Sequence, residues 1–128
     1  NMILKDNQVM GILDWELSTL GHPIADFSYH CLSWRTQEAF WDQSKLKELG
    51  IPNEREYMDM YCENTGKDLS KNWEFYMAFN MFKIAGILQG ILGRVRDGTA
   101  ASKHAEDRGM MVYPLSEAAW KTIKENLL

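Results

Sequence analysis

Cysteine is scarce in this sequence: Cys31 and Cys62 are the only two in 128 residues. They lie far apart in segments that read as helices, with no C-x-x-C pair and no His/Cys ligand spacing around them. They are expected as buried free thiols in a reducing compartment, a disulfide being the lesser alternative. An excess of cations is also missing, since 14 Lys and Arg stand against 18 Asp and Glu and leave a formal charge of −4. Nucleic acids and anionic membrane surfaces require clustered cations to displace counterions, so neither is an expected partner. No apolar run is read as approaching the roughly 20 residues that span a bilayer. The first residues lack the basic stretch and hydrophobic core of an export signal. Without repeats, low-complexity tracts or an obvious linker, the expectation is one soluble, cytoplasmic domain.

What is present reads as a hairpin followed by helices. Residues 2–4 and 9–13 are short apolar runs separated by "KDNQ", a stretch of turn formers, so a β-hairpin is expected over 2–14 with Asp14 at the exit of its second strand. Pro23 suits the first position of a helix, and Ile24, Phe27, Cys31 and Trp34 recur at helical spacing over 23–35. Asn53 and Glu56 have the spacing of a capping box, which starts a helix over 54–65 that Gly66 stops. Over 71–96 apolar residues leave almost no polar face, which places that helix centrally in the core. Its three glycines, Gly86, Gly90 and Gly93, each cost about 1 kcal/mol against alanine. A close-packed neighbour is expected to compensate, since they lack the strand-then-turn context of a phosphate loop. The polar segment 97–109 is expected as a mobile loop or a loosely held helix start. Pro114 and Ser116 then open a last helix over 115–127.

The chemistry concentrates near the start. Asp14 stands directly after a strand, where a carboxylate is aimed rigidly yet keeps access to solvent; the plainer alternative is a turn cap. The stretches "NMIL" and "GILDWELSTLGHPIADFSYHCLSW" resemble the aminoglycoside-phosphotransferase and choline-kinase-like branch of the protein-kinase-like fold, above all the phosphotransferase units associated with acyl-CoA dehydrogenases. In that family a catalytic loop, H-G-D-x-x-x-x-N, precedes a hairpin, a metal-binding D-W-E and a turn L-G-D-P-x-x-D that opens a helix. The resemblance implies that the fold is mainly α with a short N-terminal hairpin, the C-terminal lobe of an α+β kinase-like fold. It also extends into "GIPNEREYMDMYCENTG" and "NWEFYMAFNMFKIAGILQGILGR".

Residue by residue, the resemblance makes Asn1 the loop asparagine that helps to hold Mg²⁺ and Asp14 the aspartate that bridges Mg²⁺ to the nucleotide phosphates. Glu16 becomes the acid of D-W-E, serving a second metal or its water shell. Asp26 braces the catalytic loop without taking part in chemistry, although a first-turn acid is also favoured by the helix dipole alone. His22 departs from the pattern, because the family has Asp there and histidine is the poorer N-cap. The family's nucleophile-activating aspartate, phosphate-binding loop and strand lysine all precede the position of Asn1, so no catalytic residue is assigned and the chain by itself is expected to be inactive.

The implied cofactors are Mg²⁺ and ATP, and the implied partners a nucleotide and a small-molecule hydroxyl acceptor, a hydroxyacyl compound being one candidate. The family's helical portion walls the acceptor site, so positions near Trp34, Tyr76 and Arg94 are candidates for contact with substrate, with core packing the stronger reading for the aromatics. Arg94 and Arg96 suggest a phosphate or coenzyme A clamp, but cations favour a helix C-terminus without any ligand. His22, His30 and His104 match no ligand spacing, and His30 is expected to pack at the edge of the first helix. The competing readings are a non-catalytic binding or scaffold module and a chance resemblance of a helical bundle. Apolar surface facing the rest of such a fold is expected to drive self-association.

Overall fold

The computed structural model describes residues 1–36, 44–69 and 71–128. Strands β1 (Met2–Lys5) and β2 (Gln8–Ile12) pair antiparallel, with Met2 opposite Ile12 and Lys5 opposite Gln8. Asp6 and Asn7 form the turn at φ 52° and 59°. A two-residue turn with both φ positive matches the twist of the strands, and Asp and Asn tolerate that conformation better than other side chains. The register shifts between Ile3 and Leu4, which face Gly11 and Val9 and leave Met10 as the extra residue. No strand residue is buried.

A 3-10 turn at Trp15–Leu17 leads to the helices α1 (Pro23–Arg35), α2 (Ser44–Glu48), α3 (Glu54–Thr65), α4 (Trp73–Arg96), α5 (Ala105–Met110) and α6 (Val112–Asn126). Pro23 occupies the first position of α1, where its missing N–H is not required. The capping box of α3 is complete: the Glu56 amide donates to Asn53 Oδ1 at 2.9 Å and the Asn53 amide to Glu56 Oε2 at 2.8 Å. Gly66 ends α3 at φ 67°, which glycine adopts without a Cβ penalty. Residues 37–43 and 70 lie outside the described residues.

The core joins three helices. Ile24, Phe27, Cys31 and Leu32 of α1 meet Trp73, Met77, Met81, Ala85 and Leu88 of α4, and Val112, Leu115 and Ala119 of α6 complete the cluster. Burying a side chain such as Met77 or Met81 stabilises the fold by about 1.5–3 kcal/mol. Arg35 ties three helices together. Its Nε donates to Glu54 Oε2 at 2.7 Å and its Nη2 to Glu74 Oε1 at 2.9 Å, while Trp73 Nε1 donates to Glu54 Oε1 at 3.2 Å. The end of α1 is thereby pinned to the first turns of α3 and α4.

The structure departs from these expectations at several points. Helix α4 is central, but not covered all round: Phe75, Phe79, Phe82 and Ile87 are exposed among the described residues, Phe82 to 75%. Spacings of four and three place the three phenylalanines on the side away from the buried 73-77-81-85-88 stripe, with Ile87 on its flank. The glycines of α4 have no close neighbour either, because a Cβ at Gly86 or Gly93 would meet nothing within 4 Å and at Gly90 only Arg94, at 3.9 Å. The close approach falls at Gly109 of α5, where a Cβ would come within 2.6 Å of Leu92. Of the two readings of 97–109, the helix start is found, over Ala105–Met110, held by the burial of Ala105 and Gly109. Helix α6 begins at Val112 with Pro114 as its third residue, where the first turn has no use for a proline N–H. Finally, α4 is long and apolar enough by length and composition to cross a membrane. Its packing on α1, α5 and α6 buries about a third of that apolar window.

Candidate functional site

Hairpin pairing carries Asn1 to Asp14. Beyond the Met2 and Ile12 pair, the Leu13 amide donates to the Asn1 carbonyl at 2.8 Å, and Asn1 Nδ2 donates to Asp14 Oδ2 at 2.6 Å. Asp14 is left-handed, φ 70° and ψ 46°, directly before the 3-10 turn. A non-glycine residue held there is uncommon, and such conformations concentrate at functional sites. Trp15 Nε1 donates back to the Ile12 carbonyl at 2.7 Å, fixing the exit of β2 against that turn. Glu16 is exposed two residues past Asp14, and no hydrogen bond or ion pair joins it to Asn1, Asp14 or Asp26 among the described residues.

Asp26 lies in the first turn of α1. Its neighbour Ala25 is anchored from the core: Asn80, 1% exposed, donates Nδ2 to the Ala25 carbonyl and to Ser28 Oγ, both at 2.8 Å. A buried amide satisfied in this way fixes the first turn of α1 on α4, because breaking it strands polar groups away from water. His22 makes no capping bond from its side chain and instead stacks on Tyr76 at 5.2 Å.

Asn1 and Asp26 border one open cleft of about 900 Å³. Phe27, Tyr29, His30, Tyr57 and Tyr61 supply an aromatic wall to it. Phe27 stacks on Tyr61 at 3.8 Å, and Lys83 lies over the Tyr29 ring at 5.1 Å. Tyr57 and Tyr61 were not singled out from the sequence, although their spacing of four puts both on one face of α3. His30 packs beside Tyr57 and Trp34 at 5.5 and 6.3 Å. Trp34 stacks on Tyr57 and donates Nε1 to the Pro52 carbonyl at 3.1 Å, so its packing, and not the cleft, accounts for its position.

Among the described residues no three His, Cys, Asp or Glu side chains form a set able to hold a metal ion. Asn1 and Asp14 do offer hard oxygen donors side by side, the kind Mg²⁺ takes when phosphates and water complete its octahedron. Both cysteines are free, Cys31 fully buried and Cys62 half-buried. Burial pushes the Cys31 thiol up to about 12, with the Glu54 carboxylate adding to the rise and Arg35 opposing it. Burial and then the Cys31 thiol raise Tyr57 above the ordinary phenol value. At Arg35 burial acts to lower the pKa, but hydrogen bonds to Glu54 and Glu74 outweigh it, and the guanidinium stays charged.

Against this geometry, residues 1–61 match the model of the phosphotransferase enzyme family. Nearly the whole chain aligns with segments of larger proteins. It is 42% identical over 118 residues to acyl-CoA dehydrogenase family member 10 of Mus musculus, covering 88% of this chain and 11% of that protein. It is 35% identical over 124 residues to acyl-CoA dehydrogenase family member 11 of Homo sapiens, covering 94% and 16%. A third relative is the probable acyl-CoA dehydrogenase IBR3 of Arabidopsis thaliana, 35% identical over 135 residues, covering 97% and 16%. The chain is thus related to the phosphotransferase family through its first 61 residues, and it spans only 11–16% of the length of these relatives. No solved structure matches it.

Proposed function

We propose that this chain is the C-terminal, substrate-facing part of an ATP- and Mg²⁺-dependent small-molecule phosphotransferase of the protein-kinase-like fold. The observation that supports this most is the 2.6 Å hydrogen bond by which Asn1 meets a left-handed Asp14 at the exit of the hairpin. Asn1 and Asp14 would hold Mg²⁺, with Glu16 serving its water shell; the ion supplies neutralisation of the charge that develops on the transferring phosphoryl group. The Asp14 carboxylate is oriented by the amide it accepts from. Asp26 braces the site from the anchored first turn of α1. The aromatic cleft receives the acceptor, burying its apolar part against Phe27, Tyr57 and Tyr61 and directing its hydroxyl toward the Asn1 end. A hydroxyacyl compound suits such a wall, and the names of the relatives agree with acyl chemistry.

By itself the chain is proposed to be inactive, since positioning the phosphates and activating the hydroxyl are the main contributions to phosphoryl transfer. Calorimetry with Mg²⁺ and ATP tests the reading on this chain and on one extended upstream in its gene. Binding by the extended form, abolished by Asp14→Asn, is the expected result; no binding by either form sinks the proposal in favour of a non-catalytic binding module. The exposed apolar hairpin, with Met2, Leu4, Met10 and Trp15 all open to solvent, supports self-association of the chain as given. A monomer by light scattering at high concentration would overturn that part.

A further inference from the structure

The side of α4 turned away from the core has two unlike halves. Phe75, Phe79 and Phe82 stand out along the first, exposed to 50%, 48% and 75%. Gly86, Gly90 and Gly93 continue the same stripe along the second, and all six fall within an arc of about 80° at 3.6 residues per turn. Gly86 and Gly90 are exposed and Gly93 is half-buried. A Cβ at Gly86 or Gly93 would meet nothing within 4 Å, and one at Gly90 only Arg94 Nη1, at 3.9 Å. Lys83 is the only charged residue between Phe75 and Gly93, and its ammonium lies over the Tyr29 ring at 5.1 Å. Glycine is the costliest residue after proline in a helix interior, yet nothing in this chain uses the space that the three glycines leave. The rings form an apolar patch in water beside them.

Projecting rings followed by a flat track complement themselves when turned end for end. Two copies of α4 laid antiparallel about a two-fold axis near Ile84 bring Phe75 of each opposite Gly93 of the other and Phe82 opposite Gly86, with Phe79 against Gln89 and Gly90, over a length of about 27 Å. Glycines let the backbones come as close as, or closer than, the about 8–10 Å usual between helix axes, and the rings fill the gap that remains. Charge favours the same direction. Antiparallel order sets the Arg94 and Arg96 end of each helix beside the Glu74 end of the other and opposes the two helix dipoles, whereas parallel order sets arginines on arginines. We propose that α4 is an interaction surface for a second copy of this chain, pairing antiparallel with its counterpart through the phenylalanine and glycine stripe. The aromatic cleft borders α4 at Ile84, on the opposite side of the helix from the stripe, so the pairing leaves that cleft open.

Sedimentation velocity over a range of concentrations tests this on the chain as given and on one extended upstream in its gene. A reversible equilibrium between monomer and dimer is expected in both. Phe82→Glu should raise its Kd about thirtyfold or more, since each copy loses a central ring and gains a charge in its place. Gly86→Leu should do the same by filling the track, although in the monomer it gains helix propensity and its Cβ meets nothing within 4 Å. Both positions are exposed, and circular dichroism checks that the variants fold. Tyr113→Ala, exposed on α6, should leave Kd unchanged. Direction is read by oxidising Phe75→Cys and Gly93→Cys chains in a Cys62→Ser background: a disulfide in the mixture and none in either alone is expected, and linkage of like with like overturns the antiparallel order. Met10→Lys disrupts the exposed hairpin and should leave this dimer intact. Association that Met10→Lys abolishes and Phe82→Glu spares belongs to the hairpin and overturns the proposal. A monomer in both chains overturns it as well, and so does a monomer in the extended chain alone, where the stripe is covered by the rest of its own polypeptide. Asp14→Asn should not change Kd, so failure of the metal-nucleotide reading is seen separately.

Discussion

The hairpin and the helical body solve the same problem by opposite means. Strands β1 and β2 bury none of their residues, and Asn1 and Asp14 are held together by ladder register, a left-handed two-residue turn and a few short hydrogen bonds. The body instead encloses Met77, Met81 and Cys31 almost completely, and it fixes the first turn of α1 through a buried amide. The end that would hold a metal is built from local geometry, and the end that would receive an acceptor from packed helices. A site divided in this way needs both halves in place, but mutations reach the two halves through different energies.

The contrast is tested most severely at Met77, which is fully buried between α1, α4 and α6. Met77→Ala is expected to destabilise the body by about 2–5 kcal/mol in urea melts. Next comes Gly109→Ala, whose Cβ would meet Leu92 at 2.6 Å; overpacking of this kind costs about 1–3 kcal/mol, visible as a lower urea midpoint with an unchanged slope. A pH series isolates Cys31. Its folded-state pKa, about 12, stands above the ordinary thiol value, so below about pH 8.5 the thiol is neutral in both states and its contribution is intact. As pH rises further, the unfolded chain releases the proton first and stability falls. The urea midpoint should therefore decline with alkaline pH more steeply in the native chain than in Cys31→Ala.

Smaller effects sharpen the comparison from the other side. Gly86→Ala is expected to stabilise α4 by up to about 1 kcal/mol, because helix propensity is gained and nothing within 4 Å opposes the new methyl. Leu4→Ala in the exposed hairpin should change stability by less than about 0.5 kcal/mol in the chain as given. A loss of several kcal/mol there would show that the hairpin is covered, through a second copy or otherwise, and would erase the distinction drawn between the two regions.

Local signals alone marked the hairpin, the capping box at Asn53 and Glu56, the start of α1 at Pro23 and the end of α3 at Gly66, since each depends on residues within a few positions of one another. Asn1, Asp14, Glu16 and Asp26 were singled out by resemblance to a motif within the first 26 residues, and of these the described structure joins Asn1 to Asp14 by a hydrogen bond. Tertiary structure decided what sequence distance concealed. Helix α5 has too few apolar positions to show a period, and it exists through the burial of Ala105 and the approach of Gly109 to Leu92. Which face of α4 is buried was equally illegible, because a helix apolar on every side has no contrast from which to read a direction. Arg94 and Arg108, separated by a turn and a helix start, become neighbours around one cleft only when α5 folds back on α4. Short-range hydrogen bonding and φ preferences are written locally in the chain, whereas burial and convergence of charge depend on which distant segments meet.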